Sequence, residues 1–199
     1  MYSVHRPAPE KRSAFASDGL EEHFPEAAVM IAFASHLLAT KSSADSVVIC
    51  PDGEHAKRFE IVAFLQMLGF HKTTSLGGTQ YGGRYVRGKH SIVIDPSSGK
   101  GDVSGRVGNR RVLAECKGGI VNTRHPGQKS KLRKGLCELV GQLMQLPLSG
   151  DRQIAVCPDH DVTRRLAGKL APRCALAGIE IALVDVQGNV TYVLTDLKT

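Results

Sequence analysis

Two carboxylates, one lysine and the turn between the strands that carry them set the chemistry open to this chain. They lie in Gly101-Asp-Val-Ser-Gly-Arg-Val-Gly-Asn-Arg-Arg-Val-Leu-Ala-Glu-Cys-Lys-Gly-Gly119. Gly108-Asn109, between two β-favouring runs, reads as the two-residue loop of a hairpin. Counting outward from that loop pairs Val107 with Arg110 and Arg106 with Arg111, and finally sets Asp102 opposite Glu115. Directly opposed residues have Cβ atoms about 4.5–5.5 Å apart on one face of a sheet, so two carboxylates there repel unless a cation neutralises them. Alternation places Leu113, Glu115 and Lys117 on one face and Val112, Ala114 and Cys116 on the other. The Cys116 carbonyl would then be a third oxygen ligand. Such a set suits Mg²⁺, with Mn²⁺ as a substitute. With Lys117 positioning the attacking water, the expected chemistry is metal-assisted phosphodiester hydrolysis.

Charge supports a polyanionic substrate. The chain has 199 residues and a formal net charge of +7, of which residues 100 to 134 hold +8, ten Lys/Arg against Asp102 and Glu115. Arg106, Arg110, Arg111, Arg124, Lys129, Lys131 and Lys134 are therefore the expected nucleic-acid contacts, with DNA as partner. Five cysteines without metal spacing fit a reducing cytoplasmic setting. The longest apolar run, residues 27 to 39, is too short to span a membrane.

Flanking elements must hold the hairpin. Residues 1–20 read as a loose N-terminal tail, followed by a single domain over 21–199. Pro25-Glu26-Ala27 opens an apolar helix to about Ala39, and Ser46 to Cys50 reads as a buried strand. A helix is expected from about Gly53 to Leu68, then a flexible Gly-rich loop at 77–83 and one long strand from Tyr85 to Asp95. The hairpin register favours Asp102 over Asp95 as the catalytic aspartate. A helix over about Lys129 to Leu146 should bury Leu132, Leu136, Leu139, Val140 and Leu143. A strand-helix-strand tail closes the chain, its Cys157-Pro158-Asp159 echoing Cys50-Pro51-Asp52 at two expected helix starts.

Asp102 and Glu115-Cys116-Lys117 resemble the PD-(D/E)xK, or restriction-endonuclease-like, nuclease superfamily, with Gly101 in place of the proline. The surrounding order is similar to its Mrr-like branch over roughly residues 54 to 195. The resemblance implies an α/β fold with a mixed central sheet flanked by helices, here with an N-terminal helix-strand extension. It also implies a helix glutamate near the metal, carried over to Glu60, and a helix glutamine, carried over to Gln142. Both also read as ordinary solvated helix residues. The activity implied is Mg²⁺-dependent cleavage of DNA in restriction, defence or repair. A junction resolvase acting as a symmetric homodimer and an inactive nucleic-acid-binding module of the same fold are the alternatives.

Overall fold

The turn at Gly108-Asn109 closes with Gly108 at φ +59° and Asn109 at negative φ. Glycine at the first central position is what a type II′ hairpin turn requires. A computed structural model describes residues 21–40, 45–52, 59–97, 101–147 and 150–193. In chain order its elements are β1 (His23–Phe24), α1 (Glu26–Ala39), β2 (Ser46–Ile49), α2 (Ile61–Met67), β3 (His71–Ser75), β4 (Gly83–Arg87) and β5 (His90–Ile94). They continue with β6 (Val103–Val107), β7 (Arg110–Cys116), β8 (Gly119–Ile120), α3 (Pro126–Met144), β9 (Arg152–Pro158), α4 (Asp161–Leu176), β10 (Ile179–Val184) and β11 (Val190–Tyr192).

The chain is α/β, with a mixed nine-stranded sheet in the order β11-β10-β9-β7-β6-β2-β5-β4-β3. The β6–β7 register runs from Val107 opposite Arg110 to Val103 opposite Ala114, as the turn predicts. Beyond β7 the sheet becomes parallel through β9 and β10. Strand β9 is buried along nearly its whole length, as a strand covered on both faces must be.

Two apolar clusters grip the sheet. Ala27 to Ala34, Leu37 and Leu38 of α1 are buried with Val47 and Ile49, Val112, Ala114 and Cys116 on one face. Phe64 and Leu65 of α2 join the same cluster. On the other face, Leu136, Leu139, Val140 and Leu143 of α3 pack with Ala155, Ala167, Ala171 and Cys174. Each such aliphatic side chain removed from water contributes about 1.5–3 kcal/mol. The five predicted core positions of α3 are all buried.

Three expectations about the elements need correction. The helix-strand unit before residue 54 is not an extension, because β2 lies mid-sheet between β5, to which it is parallel, and antiparallel β6. Residues 85–95 are not one strand: Arg87 pairs with His90 around Gly88 (φ +57°), making β4 and β5 a hairpin. The helix expected from Gly53 to Leu68 begins, among the described residues, at Ile61, with Phe59 and Glu60 outside it. Residues 77–82 connect β3 to β4. Gly82 N–H donates to Thr79 Oγ1, the Tyr85 hydroxyl to the Tyr81 carbonyl, and Lys72 Nζ to the Gln80 carbonyl. The expected N-terminal tail and residues 53–58 of the expected helix lie outside the described residues.

Candidate functional site

The end of the sheet where β6 begins and β7 ends collects the chemistry. One step past the last β6–β7 pair, Val103 with Ala114, the same register sets Asp102 opposite Glu115. Two hydrogen bonds anchor it: the Asp102 carbonyl accepts from Cys50 N–H at 2.9 Å, and its Oδ2 accepts from Cys116 N–H at 2.7 Å. The first continues the β2–β6 pairing and the second ties Asp102 to the strand that carries Glu115. Cys116 points its thiol into the core, where burial pushes the pKa well above the usual value. The thiol is thereby kept protonated, and only the carbonyl of Cys116 is left as a ligand.

Electrostatics at this end are strained in one direction. The Asp102 carboxyl is pushed up to about 7, mainly by burial and also by Glu115 and Glu26, against the Cys116 N–H and Lys117, which favour its charged form. Burial also raises Glu115, against Lys117 and Asp102, which favour its charged form. Two acids that resist ionisation beside one another call for positive charge between them.

Lys117 supplies part of it. Its Nζ lies 3.5 Å from Glu138 Oε1 and 3.9 Å from Glu26 Oε2. Burial alone would lower its pKa, but Glu26, Glu138 and Asp102 outweigh that and raise it. Lys117 therefore stays an ammonium and serves as a fixed positive charge rather than a base. Its backbone N–H donates to the Val156 carbonyl at 3.0 Å, which holds the strand end against β9.

Glu26 and Glu138 are the residues that sequence reasoning did not assign. Glu26 arrives because β1 pairs with β8, His23 opposite Ile120 and Phe24 opposite Gly119, and so brings the start of α1 to the end of β7. Glu138 arrives from α3, whose Gly135, one turn earlier, lies against the Lys117 stem, a Cβ there being at an ordinary contact distance of 3.7 Å. Glu60 is instead exposed at the N-cap of α2. No hydrogen bond or ion pair among the described residues links it to Asp102, Glu115 or Lys117. Gln142 is exposed one turn beyond Glu138, again with no side-chain bond into the site among the described residues.

The cations predicted to meet nucleic acid divide by position. Arg106 and Arg111 face each other across β6–β7, exposed and in alternation with Asp102 and Glu115. At about 3.3 Å per residue they stand roughly 13 Å from the carboxylates along the strands. Arg110, also exposed, falls on the alternate face. Lys131 and Lys134 are exposed and Lys129 half-buried on the first turns of α3, and Arg124 is exposed just before it. His125 caps α3, its Nδ1 accepting from Gly127 N–H at 3.0 Å. Asp95 is engaged locally, accepting from the Ser97 N–H at 3.0 Å and from the Ser97 hydroxyl, bonds that lower its pKa.

Among the described residues, no group of three or more His, Cys, Asp or Glu side chains converges to hold a metal ion. Two carboxylates with a nearby backbone carbonyl form a hard, all-oxygen donor set. That fits Mg²⁺, which binds through one or two carboxylates and keeps several waters, and does not fit the closed nitrogen and sulfur cages of structural zinc. No described helix is long and apolar enough to cross a membrane. No family model matches the chain, nor does any curated protein or solved structure.

Proposed function

We propose that this protein is a Mg²⁺-dependent nuclease that hydrolyses phosphodiester bonds in DNA, with a core of the restriction-endonuclease-like type. The observation that carries the reading is Asp102 held by the Cys116 N–H opposite Glu115, both resisting ionisation, with the Lys117 ammonium beside them. The element order supports it as well: helix α1, central strand β2, hairpin β6–β7, helix α3 and parallel strand β9 come in that order, with α2 and β3 to β5 between β2 and β6 and the short β8 before α3.

Asp102 and Glu115 would hold the metal, assisted by the Cys116 carbonyl. Bound there, magnesium polarises a phosphoryl oxygen and lowers the pKa of a coordinated water. Lys117 would orient the attacking water and stabilise charge developing on phosphate, with Glu26 and Glu138 holding its ammonium in place. Water adds to phosphorus and the bond to the leaving oxygen breaks, producing a phosphate end and a hydroxyl end. The basic surface from Arg106 to Lys134 would carry the backbone on either side of the scissile bond.

The decisive experiment incubates wild type and Asp102→Ala with supercoiled, linear, single-stranded and branched DNA, in Mg²⁺, Mn²⁺ or EDTA. Cleavage by wild type with either metal, absent in EDTA and in the variant, is expected. Equal cleavage by both proteins would sink the site assignment, and preference for branched DNA would identify a junction resolvase.

A further inference from the structure

A second basic site lies on the outer side of α3, away from Asp102 and Glu115. Arg133 of α3 and Arg165 and Lys169 of α4 line a cleft of about 400 Å³ whose remaining walls are Val162 and Leu166. Among the described residues no acidic side chain lines it. Like charges four residues apart on a helix destabilise it by a few tenths of a kcal/mol, and Arg165 and Lys169 have that spacing with Arg133 opposite them. The acids at this end of α4 serve a different residue: Arg164 pairs with Asp159 at 2.8 Å and with Asp161 at 3.3 Å. Arg165 spends one N–H on the Asp161 carbonyl, at 3.2 Å. Among the described residues neither it nor Arg133 nor Lys169 is in an ion pair.

Three cations converging on a cleft with no acidic lining among the described residues suit an anion, and the planar forks of two arginines suit the oxygens of phosphate. The place in the fold identifies which phosphate. Strand β9 ends beside Lys117 and α4 starts three residues after β9, so the cleft opens at the same end of the sheet as the carboxylates. Helix α3 separates the two, carrying Glu138 towards Lys117 and Arg133 towards α4. We propose that the Arg133–Arg165–Lys169 cleft binds a backbone phosphate of the nucleic-acid substrate away from the scissile bond, so that the strand crosses the N-terminal half of α3. This rests on the nuclease reading for the identity of the ligand but not for the presence of an anion site.

The test measures binding without cleavage. Fluorescence anisotropy of a labelled 20-base-pair DNA is followed in EDTA against KCl concentration for wild type, Arg165→Glu/Lys169→Glu and Arg165→Lys, with thermal melts confirming that each is folded. The double variant should bind at least tenfold more weakly at 100 mM KCl, with a salt slope smaller by about one, since one phosphate contact contributes about 0.9. Arg165→Lys, which keeps the charge and loses the fork, should fall between wild type and the double variant. Unchanged affinity and slope in the double variant would overturn the proposal, as would displacement of the DNA by deoxyadenosine monophosphate at equal affinity, which would make the cleft a site for a free nucleotide. Cleavage in Mg²⁺ is scored separately: an inactive wild type that still shows the binding difference would refute the nuclease reading and leave the anion site standing.

Discussion

Glu26 reaches Lys117 because Gly118 carries no side chain: a Cβ there would lie 2.6 Å from the Glu26 backbone nitrogen and 2.5 Å from the Phe24 carbonyl oxygen. Both neighbours are backbone, so neither can swing aside. The start of α1 and the end of β7 must separate if the residue gains a methyl group. Overpacking of this kind costs roughly 1–3 kcal/mol. Gly118→Ala should therefore lower the unfolding free energy measured in urea by that amount and reduce cleavage further than the stability loss explains. Gly78→Ala is the control, since nothing lies within 4 Å of a Cβ there and its φ is not in the left-handed region. Loss of activity equal in the two variants would show that Gly118 is not what seats Glu26.

Glu26 and Glu60 separate two ideas about which helix serves the site. Glu26→Gln should reduce metal-dependent turnover by about ten- to a hundredfold, the usual cost of removing a group that orients a metal site or its neighbours. Glu60→Gln should leave turnover within twofold of wild type. Steady-state kinetics on a supercoiled substrate checks both, and the reverse ranking would return the helix glutamate to α2.

How much of this could be read from the chain depends on the range of the contact. The Gly108-Asn109 turn fixes the β6–β7 register locally, so Asp102, Glu115 and Lys117 were legible from the sequence alone. The stripe of Leu132, Leu136, Leu139, Val140 and Leu143 was legible for the same reason. Glu26 was not, because it depends on pairing across about a hundred residues, from His23 to Ile120. A signal was present in Gly118-Gly119, where two glycines directly after a strand mark a close backbone approach. Strand β3, His71-Lys-Thr-Thr-Ser75, was missed because it is a largely exposed edge strand with no apolar alternation.

Lys117 sits between Glu26 and Glu138, so its charge and its position can be separated. Lys117→Met keeps the stem and removes the ammonium, leaving two acids without their shared partner. Turnover should fall by at least a hundredfold while DNA binding in EDTA changes by less than threefold, since one cation of many is lost from the basic surface. Glu138→Gln should have a smaller effect on turnover, because its partner retains Glu26 at 3.9 Å. A larger loss in Glu138→Gln than in Glu26→Gln would make Glu138 the main anchor of the lysine.

Asp102 links the site to the stability of the metal-free protein. Its pKa is 3.8 in a solvated chain and is pushed up to about 7 in the fold, mainly by burial. Between those values the folded state binds the proton more tightly than the unfolded state does, so stability falls as pH rises from about 4 and levels off above about 7. At one pKa unit per about 1.4 kcal/mol, the stability forfeited by ionising Asp102 is on the order of 4 kcal/mol. Asp102→Asn cannot ionise and should escape the loss. In EDTA, the melting temperature of the variant relative to wild type should therefore rise steadily from pH 4.5 to pH 7.5. At pH 7.5, saturating Mg²⁺ should raise wild type by about 2.7 kcal/mol at a hundred times its dissociation constant and leave the variant nearly unmoved. A difference in EDTA that does not change with pH would show that the Asp102 carboxyl ionises as freely in the fold as in water.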